Sequence, residues 1–136
     1  MILLDTNILI DIVTRDPIWS QWSRAELVKA TISDHEVVIN DVVYAEFSFR
    51  YTDERALDTA LERMGVVLAP TPRAALFLAG RSFRRYRAAG GTRTGVLPDF
   101  FIGAHAETAS ASLLTRDPRR YRTYFPDVEL ITPGIH

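Results

Sequence analysis

Four acidic residues occupy positions where a carboxylate costs free energy of folding unless it has a structural or chemical role. Asp5 ends the apolar run 2–4, which predicts a strand buried on both faces. Asp117 follows a second apolar run, Asp99 falls in the first turn of a predicted helix, and Glu46 lies among apolar and aromatic residues in another helix. Each acid alone could cap a helix or face solvent. Four of them at one sheet edge would repel one another unless a cation joined them.

The donor types narrow the choice of cation. The chain has no cysteine, and no histidine cluster accompanies the acids, so the candidate ligands are oxygen atoms. Oxygen ligands suit a hard cation, and we expect Mg²⁺ or Mn²⁺. Such an ion can lower the pKa of a bound water and stabilise a displacement at phosphorus. Crowding of the acids also predicts at least one raised carboxyl pKa in the metal-free fold.

The basic residues near these acids are almost all arginines. No Asp or Glu occurs between Arg63 and Pro98, and Lys29 is the only lysine. The forked guanidinium group suits phosphate oxygens. We predict contacts with the phosphate backbone of a nucleic acid for the four arginines closest before Asp99, namely Arg84, Arg85, Arg87 and Arg93. The alternative for them is a solvated helix face.

The elements that must position these residues alternate along the chain. The order β-α-α-β-α-α-β-α-α-β-α-β predicts an α/β fold with three layers, α/β/α, around a mainly parallel central sheet. Residues 1–136 should form one such domain. Ligands bind at the carboxyl ends of the strands in sheets of this kind. We also expect Thr6 or Asn7 to cap the helix after the first strand, and Asp16-Pro17 to start the second helix.

Composition adds two expectations. The apolar runs are too short to cross a bilayer, and the first of them has no basic region before it, so we interpret it as a strand and not as a signal peptide. We therefore expect a cytoplasmic protein. The formal net charge of −1 by itself says nothing in favour of nucleic acid, in contrast to the local arginine clusters.

The order and spacing of the four acids resemble those of the PIN domain. The resemblance rests on Asp5-Thr6-Asn7 after a strand, Glu46 in a Tyr-Ala-Glu-Phe helix, and the segments 97–106 and 113–117. The chain length, the Gly90-Gly91-Thr92-Arg93 loop and the ending are similar in particular to the VapC-type toxins of bacterial toxin–antitoxin modules. The resemblance spans essentially the whole chain.

This resemblance implies an endoribonuclease that depends on Mg²⁺ or Mn²⁺. The acidic quartet of the family maps onto Asp5, Glu46, Asp99 and Asp117, all four of which are present. It implies that Asp5 and Asp99 are the principal metal ligands and that Glu46 and Asp117 complete the site, directly or through water. The residues expected to orient these ligands are Thr6, Asn7 and Thr115.

The resemblance also implies partners. A VapB-type antitoxin would place an Arg or Lys among the four acids. An apolar segment of it would pack against the helices that carry Trp19, Trp22 or Phe47. The family likeness further implies a homodimer.

Three other classes of protein compete with this interpretation. A haloacid-dehalogenase-type phosphatase would need a second acid where Asn7 stands and a catalytic lysine that Lys29 is badly placed to supply. A response-regulator receiver would need a lysine near a late strand, where none exists. A non-catalytic RNA- or protein-binding module of the same fold remains open, and metal-dependent cleavage of RNA distinguishes it from the nuclease.

Overall fold

A five-stranded parallel sheet forms the centre of the computed structural model, which describes residues 1–134. Its strand order is β3-β2-β1-β4-β5, and every neighbouring pair is parallel. This arrangement confirms the predicted α/β class. The strands are β1 (Ile2–Leu4), β2 (Val37–Ile39), β3 (Val67–Leu68), β4 (Ser112–Leu114) and β5 (Leu130–Ile131).

Seven helices within the described residues connect these strands in the predicted order. All residues of β1 and β2 are buried, because helices cover both faces of the central strands. The resulting layers are the expected α/β/α sandwich. The helices are α1 (Thr6–Thr14), α2 (Ser20–Thr31), α3 (Asp41–Ser48), α4 (Glu54–Met64), α5 (Arg73–Ala88), α6 (Leu97–Thr108) and α7 (Arg119–Tyr124). None of the helices in residues 1–134 is both long and apolar enough to span a membrane.

The topology creates a cleft beside β1. The chain runs outward from β1 to β2 and β3, then crosses to β4 and β5 on the other side. The point where the direction of winding reverses therefore lies between β1 and β4, and loops leave the carboxyl ends of these two strands in opposite directions. Asp5 directly follows β1, and residues 115–117 directly follow β4. The fold thus brings two predicted acids to one edge.

Two predicted helix starts are wrong. Thr6 and Asn7 lie inside α1, whose N-cap residue is Asp5, and no side chain caps that end. Their side chains face the acids instead of the free N–H groups of the helix. The second helix begins at Ser20 and not at Pro17, because Oδ1 of Asp16 accepts hydrogen bonds from the backbone N–H groups of Ile18 and Trp19 and holds residues 17–19 in a turn.

Candidate active site

The structure brings all four predicted acids to a single pocket. The pocket has a volume of about 260 Å³ and lies at the carboxyl edge of the sheet. Asp5 is buried, Asp99 is half-buried, and Glu46 and Asp117 are exposed on the rim. The lining consists of the four acids together with Thr6, Asn7, Ile10 and Arg116. Their roles as metal ligands stay a prediction.

Asp5 is the innermost acid of the pocket. Its Oδ2 accepts hydrogen bonds from the hydroxyl groups of Thr115 at 2.8 Å and Tyr121 at 2.9 Å. The Asn7 amide donates a longer bond of 3.4 Å to the same oxygen. Among residues 1–134, every side-chain donor to Asp5 uses Oδ2. Oδ1 is therefore the oxygen left for a ligand in the pocket.

Burial dominates the ionisation of Asp5. The pKa of this carboxyl is raised from 3.8 to about 6. Loss of solvent is the largest cause and the nearby charge of Asp99 adds to it, while hydrogen bonds from Thr115 and Tyr121 act in the opposite direction. Burial also raises the pKa of Asp99, although Arg120 partly offsets the effect. The expected raised carboxyl pKa is present, with desolvation as the larger cause and like-charge repulsion as the smaller.

Glu46 reaches the pocket from α3. The side chain of Asn40 accepts a hydrogen bond from the backbone N–H of Val43, which fixes the start of this helix directly after β2. The Thr6 hydroxyl then donates a 2.6 Å hydrogen bond to Oε1 of Glu46. Thr6 was predicted to orient a ligand, and the carboxylate it contacts is Glu46 and not Asp5.

Asp99 projects from the first turn of α6 and has a cationic partner. Nη1 of Arg120 lies 2.6 Å from Oδ2 of Asp99 and donates a hydrogen bond to it. Arg120 comes from α7, which packs closely on α6: a Cβ atom at Gly103 would overlap the ring of Phe125.

Asp117 follows β4 on the opposite side of the pocket. Its backbone N–H donates to the Thr115 hydroxyl at 3.1 Å, and that hydroxyl in turn donates to Asp5. Thr115 therefore links the two acids that follow β1 and β4. The Asp117 carboxylate forms an exposed ion pair with Arg119 at 3.9 Å.

The donor set fits a hard cation, although the ligands are not drawn together. Within residues 1–134, no three acidic or histidine side chains converge into a formed metal site. Each of the inner acids is held by a protein donor instead: Asp5 by Thr115 and Tyr121, and Asp99 by Arg120. Four carboxylates on one small pocket supply enough oxygen ligands for Mg²⁺ or Mn²⁺ once their side chains turn inward.

The four arginines predicted to contact RNA lie in different surroundings. Arg93 borders a neighbouring pocket that contains Asp99 and Asp117. The guanidinium groups of Arg85 and Arg87 cover the rings of Tyr124 and Phe83, respectively. Arg84 is exposed on α5. Only Arg93 therefore lines a pocket next to the acids, and the RNA contacts of all four stay a prediction.

Besides Arg120, two residues of the site escaped the sequence-based prediction of roles. Arg116 lines the four-acid pocket, and its Nε and Nη2 donate to the buried carboxylate of Asp11 at 2.7 and 3.1 Å. Tyr121 is fully buried and donates to Asp5. Burial, and after it the charge of Asp5, raises the pKa of the Tyr121 hydroxyl well above 10. Neither contact has a local signal, since the partners lie more than a hundred residues apart.

Comparison with solved structures supports the same architecture. One chain of the VapBC2 complex from Rickettsia felis, bound to a promoter DNA fragment, superposes with a TM-score of 0.70 at 18% identity, covering 98% of this chain and 100% of that one. A toxin–antitoxin complex from Klebsiella pneumoniae gives 0.70 at 20% identity, with both chains covered completely. VapBC-1 from nontypeable Haemophilus influenzae gives 0.68 at 23% identity, covering 97% and 98%. At these identities the likeness shows the fold.

Sequence comparison decides the family. No curated protein sequence matches the chain. The sequence model of the PIN domain, however, matches residues 2–126, which include all four acids and every strand except β5. The chain therefore belongs to the PIN domain family.

Proposed function

We propose that this protein is a VapC-type toxin, an endoribonuclease that cleaves RNA phosphodiester bonds with Mg²⁺ or Mn²⁺ at the pocket formed by Asp5, Glu46, Asp99 and Asp117. The observation that carries the proposal is the gathering of these four carboxylates in one pocket at the carboxyl edge of the sheet. Membership of the PIN family and the fold shared with VapBC complexes support it.

Asp5 and Asp99 would hold the cation, with Glu46 and Asp117 completing the site directly or through water. When bound, the ion supplies an activated water and neutralises charge on the phosphate. The chain's own residues prepare the ligands. Thr115 and Tyr121 fix one oxygen of Asp5, which leaves the other for the pocket, and Thr6 fixes one oxygen of Glu46.

Arginines around the pocket would hold the RNA. A guanidinium group can donate two parallel hydrogen bonds to a phosphate. Arg93, Arg119 and Arg120 lie on the pocket that adjoins the acids, from which they would contact the RNA backbone next to the metal site. Contacts of this kind position a strand and carry no base specificity.

A non-catalytic binding module is the second candidate. The observation in its favour is that protein donors already hold the inner acids, which lack a converged metal site within residues 1–134. The two candidates differ in one measurable property, because only the nuclease cleaves RNA in a metal-dependent way. Sequencing of the RNA ends produced on brief induction of the protein in cells, beside an Asp5→Asn control, tests the nuclease. New ends in the parent alone support it, and identical ends in both favour the binding module.

The proposal includes a VapB-type antitoxin and a homodimer in the cell. The solved complexes with this fold pair a toxin with an antitoxin, and VapBC2 was captured on its promoter DNA. The apolar contact is expected on the helices that carry Trp19, Trp22 or Phe47, and this expectation stays a prediction. Phe47 is fully buried in the core, whereas Phe49, Ile18 and Ile32 are at least three-quarters exposed. A partner that packs near α2 and α3 would meet these three residues.

A further inference from the structure

A second pocket adjoins the four-acid pocket. Its volume is about 600 Å³, compared with about 260 Å³ for the acid pocket, and the two share Asp99 and Asp117 as walls. Three arginines, Arg93, Arg119 and Arg120, line the rest of it together with polar and aromatic side chains. A space lined by arginines beside two acids of the candidate metal site suits a group that carries negative charge and reaches toward a metal.

Arg120 lies at the boundary between the two pockets. Its guanidinium donates to Asp99 at 2.6 Å, and the two side chains are 23% and 31% exposed, respectively. The pair is thus partly withdrawn from solvent, where charges act on each other more strongly than on an open surface. Arg119 differs, since its side chain is 91% exposed and lies 3.9 Å from its nearest acid.

The Arg120–Asp99 contact conflicts with metal binding. A guanidinium and a divalent cation draw on the same negative charge, so occupation by one weakens binding of the other. A phosphate offers Arg120 a replacement acceptor of matching geometry. An arginine that loses its carboxylate to a metal can therefore regain its hydrogen bonds from substrate in the adjoining pocket.

We propose that the pocket lined by Arg93, Arg119 and Arg120 is a subsite for an RNA phosphodiester next to the cleaved bond. Arg120 exchanges Asp99 for this phosphate when RNA binds, and a metal on Asp99 favours the exchange. The inference rests on the proposed function. Arg120 then has two opposite effects: it weakens metal binding in the free protein, and it strengthens binding of the RNA substrate.

The first test measures RNA binding without cleavage. A short fluorescein-labelled single-stranded RNA is titrated with parent, Arg120→Ala and Arg122→Ala proteins in EDTA. Arg122 is the matched control, because it is an exposed arginine of the same helix that lines neither pocket. Arg120→Ala should weaken binding by about tenfold, the effect of a charge-assisted hydrogen bond, and lower the salt slope by about one. Equal binding by the two variants would overturn the subsite.

A double-mutant cycle tests the exchange of partners. Asp99→Asn frees Arg120, so it should tighten RNA binding in EDTA by several-fold. If Asp99→Asn only removes repulsion between its carboxylate and RNA, RNA affinity should rise equally with and without Arg120. The proposed exchange instead requires most of this rise in affinity to vanish in the Arg120→Ala background. An equal gain in both backgrounds would contradict the exchange.

Calorimetric titration with Mg²⁺ in the absence of RNA completes the test. Arg120→Ala should bind Mg²⁺ several-fold more tightly than the parent, and Arg122→Ala should not. A purely structural arginine would instead weaken both RNA and metal binding. If Arg120→Ala melts early, Arg120→Gln keeps the length of the side chain, removes its charge and is measured in the same way. These readouts do not involve cleavage, so they stay distinct from the test of the nuclease, which fails if Asp99→Asn cleaves RNA like the parent.

Discussion

The hydroxyl of Tyr121 and the carboxylate of Asp5 are joined by a buried 2.9 Å hydrogen bond between residues that are 116 positions apart. Both groups are almost fully removed from solvent. The pKa of the tyrosine lies well above 10, so its hydroxyl keeps its proton and remains a donor at any physiological pH. Tyr121 therefore stabilises the charged form of Asp5 and fixes the orientation of its carboxylate.

Replacement of the Tyr121 hydroxyl should shift the pH dependence of metal binding to higher pH. In Tyr121→Phe the Asp5 carboxylate loses one hydrogen bond, so its pKa should rise above the present value of about 6. Metal binding needs the deprotonated carboxylate, and the pH midpoint of Mg²⁺ affinity should shift upward by less than about one unit. Calorimetric titrations with Mg²⁺ across this pH range measure the shift. Tyr51→Phe, at a half-buried tyrosine far from the pocket, serves as the control, and a midpoint unchanged in Tyr121→Phe would count against the role of the hydroxyl.

Asp5→Asn should stabilise the metal-free protein at neutral pH while it abolishes cleavage. The folded pKa of about 6 exceeds the unfolded value of 3.8, so the folded state binds more protons and the parent loses stability as pH rises through this window. The shift corresponds to at most about 3 kcal/mol, which the neutral asparagine avoids. Thermal melts in EDTA at several pH values measure the difference. A variant that is less stable than the parent at neutral pH would contradict the claim that the ionised Asp5 carboxylate destabilises the metal-free protein.

The matched control for this change is Asp34→Asn on the exposed turn before β2, which should leave the melts unchanged. Addition of Mg²⁺ should raise the melting temperature of the parent, because the ion binds only the folded form. The same addition should do little for Asp5→Asn. If Mg²⁺ leaves the melting temperature of the parent protein unchanged, the result would contradict a metal site at the clustered carboxylates.

The ion pair of Arg116 and Asp11 should matter more to stability than any exposed pair. Among residues 1–134, Arg116→Ala leaves the Ser23 hydroxyl as the one side-chain donor to the buried Asp11 carboxylate. Loss of one partner of a buried pair typically costs about 3–5 kcal/mol. The partial exposure of Arg116 places the expected value at or below the lower end. Urea unfolding measures it, with Arg119→Ala as the control whose distant exposed pair should contribute little. Equal stability of the two variants would refute this role.

The four arginines predicted to contact RNA can be tested by the salt dependence of RNA binding. Arg84, Arg85, Arg87 and Arg93, each replaced by alanine, should weaken RNA binding across sequences alike and lower the salt slope by about one. Fluorescence titrations at several salt concentrations give the slope. Arg63→Ala, in the last turn of α4 away from both pockets, is the control. Slopes unchanged in all four variants would identify these arginines as a solvated face.

Much of the fold and the candidate site could be predicted because their signals are local. Apolar runs that end in an acid marked β1 and β4, and alternation of strands with helices implied that their carboxyl ends meet at one edge. The ends of α4 also have local causes, since Asp53 caps the first turn with its carboxylate and Gly65 adopts a left-handed conformation at φ 75°.

The undetected features depend on contacts that no local pattern encodes. Arg120 and Tyr121 are neighbours on the six-residue helix α7, and one reaches Asp99 while the other reaches Asp5. These contacts depend on how α7 packs against α6 through Gly103 and Phe125, which the sequence spacing does not reveal. The predicted capping by Thr6 failed for a similar reason, because a tertiary partner, Glu46, competes for the hydroxyl.

Metal-dependent cleavage of RNA by purified parent and Asp99→Asn proteins tests the central claim most directly. The parent should cleave in Mg²⁺ or Mn²⁺ and stop in EDTA. The variant should lose at least about 100-fold in rate, as expected when a ligand carboxylate is removed from a metal that stabilises charge at phosphorus. Equal cleavage by the two proteins, or cleavage by the parent that persists in EDTA, would contradict a catalytic metal site at the four acids.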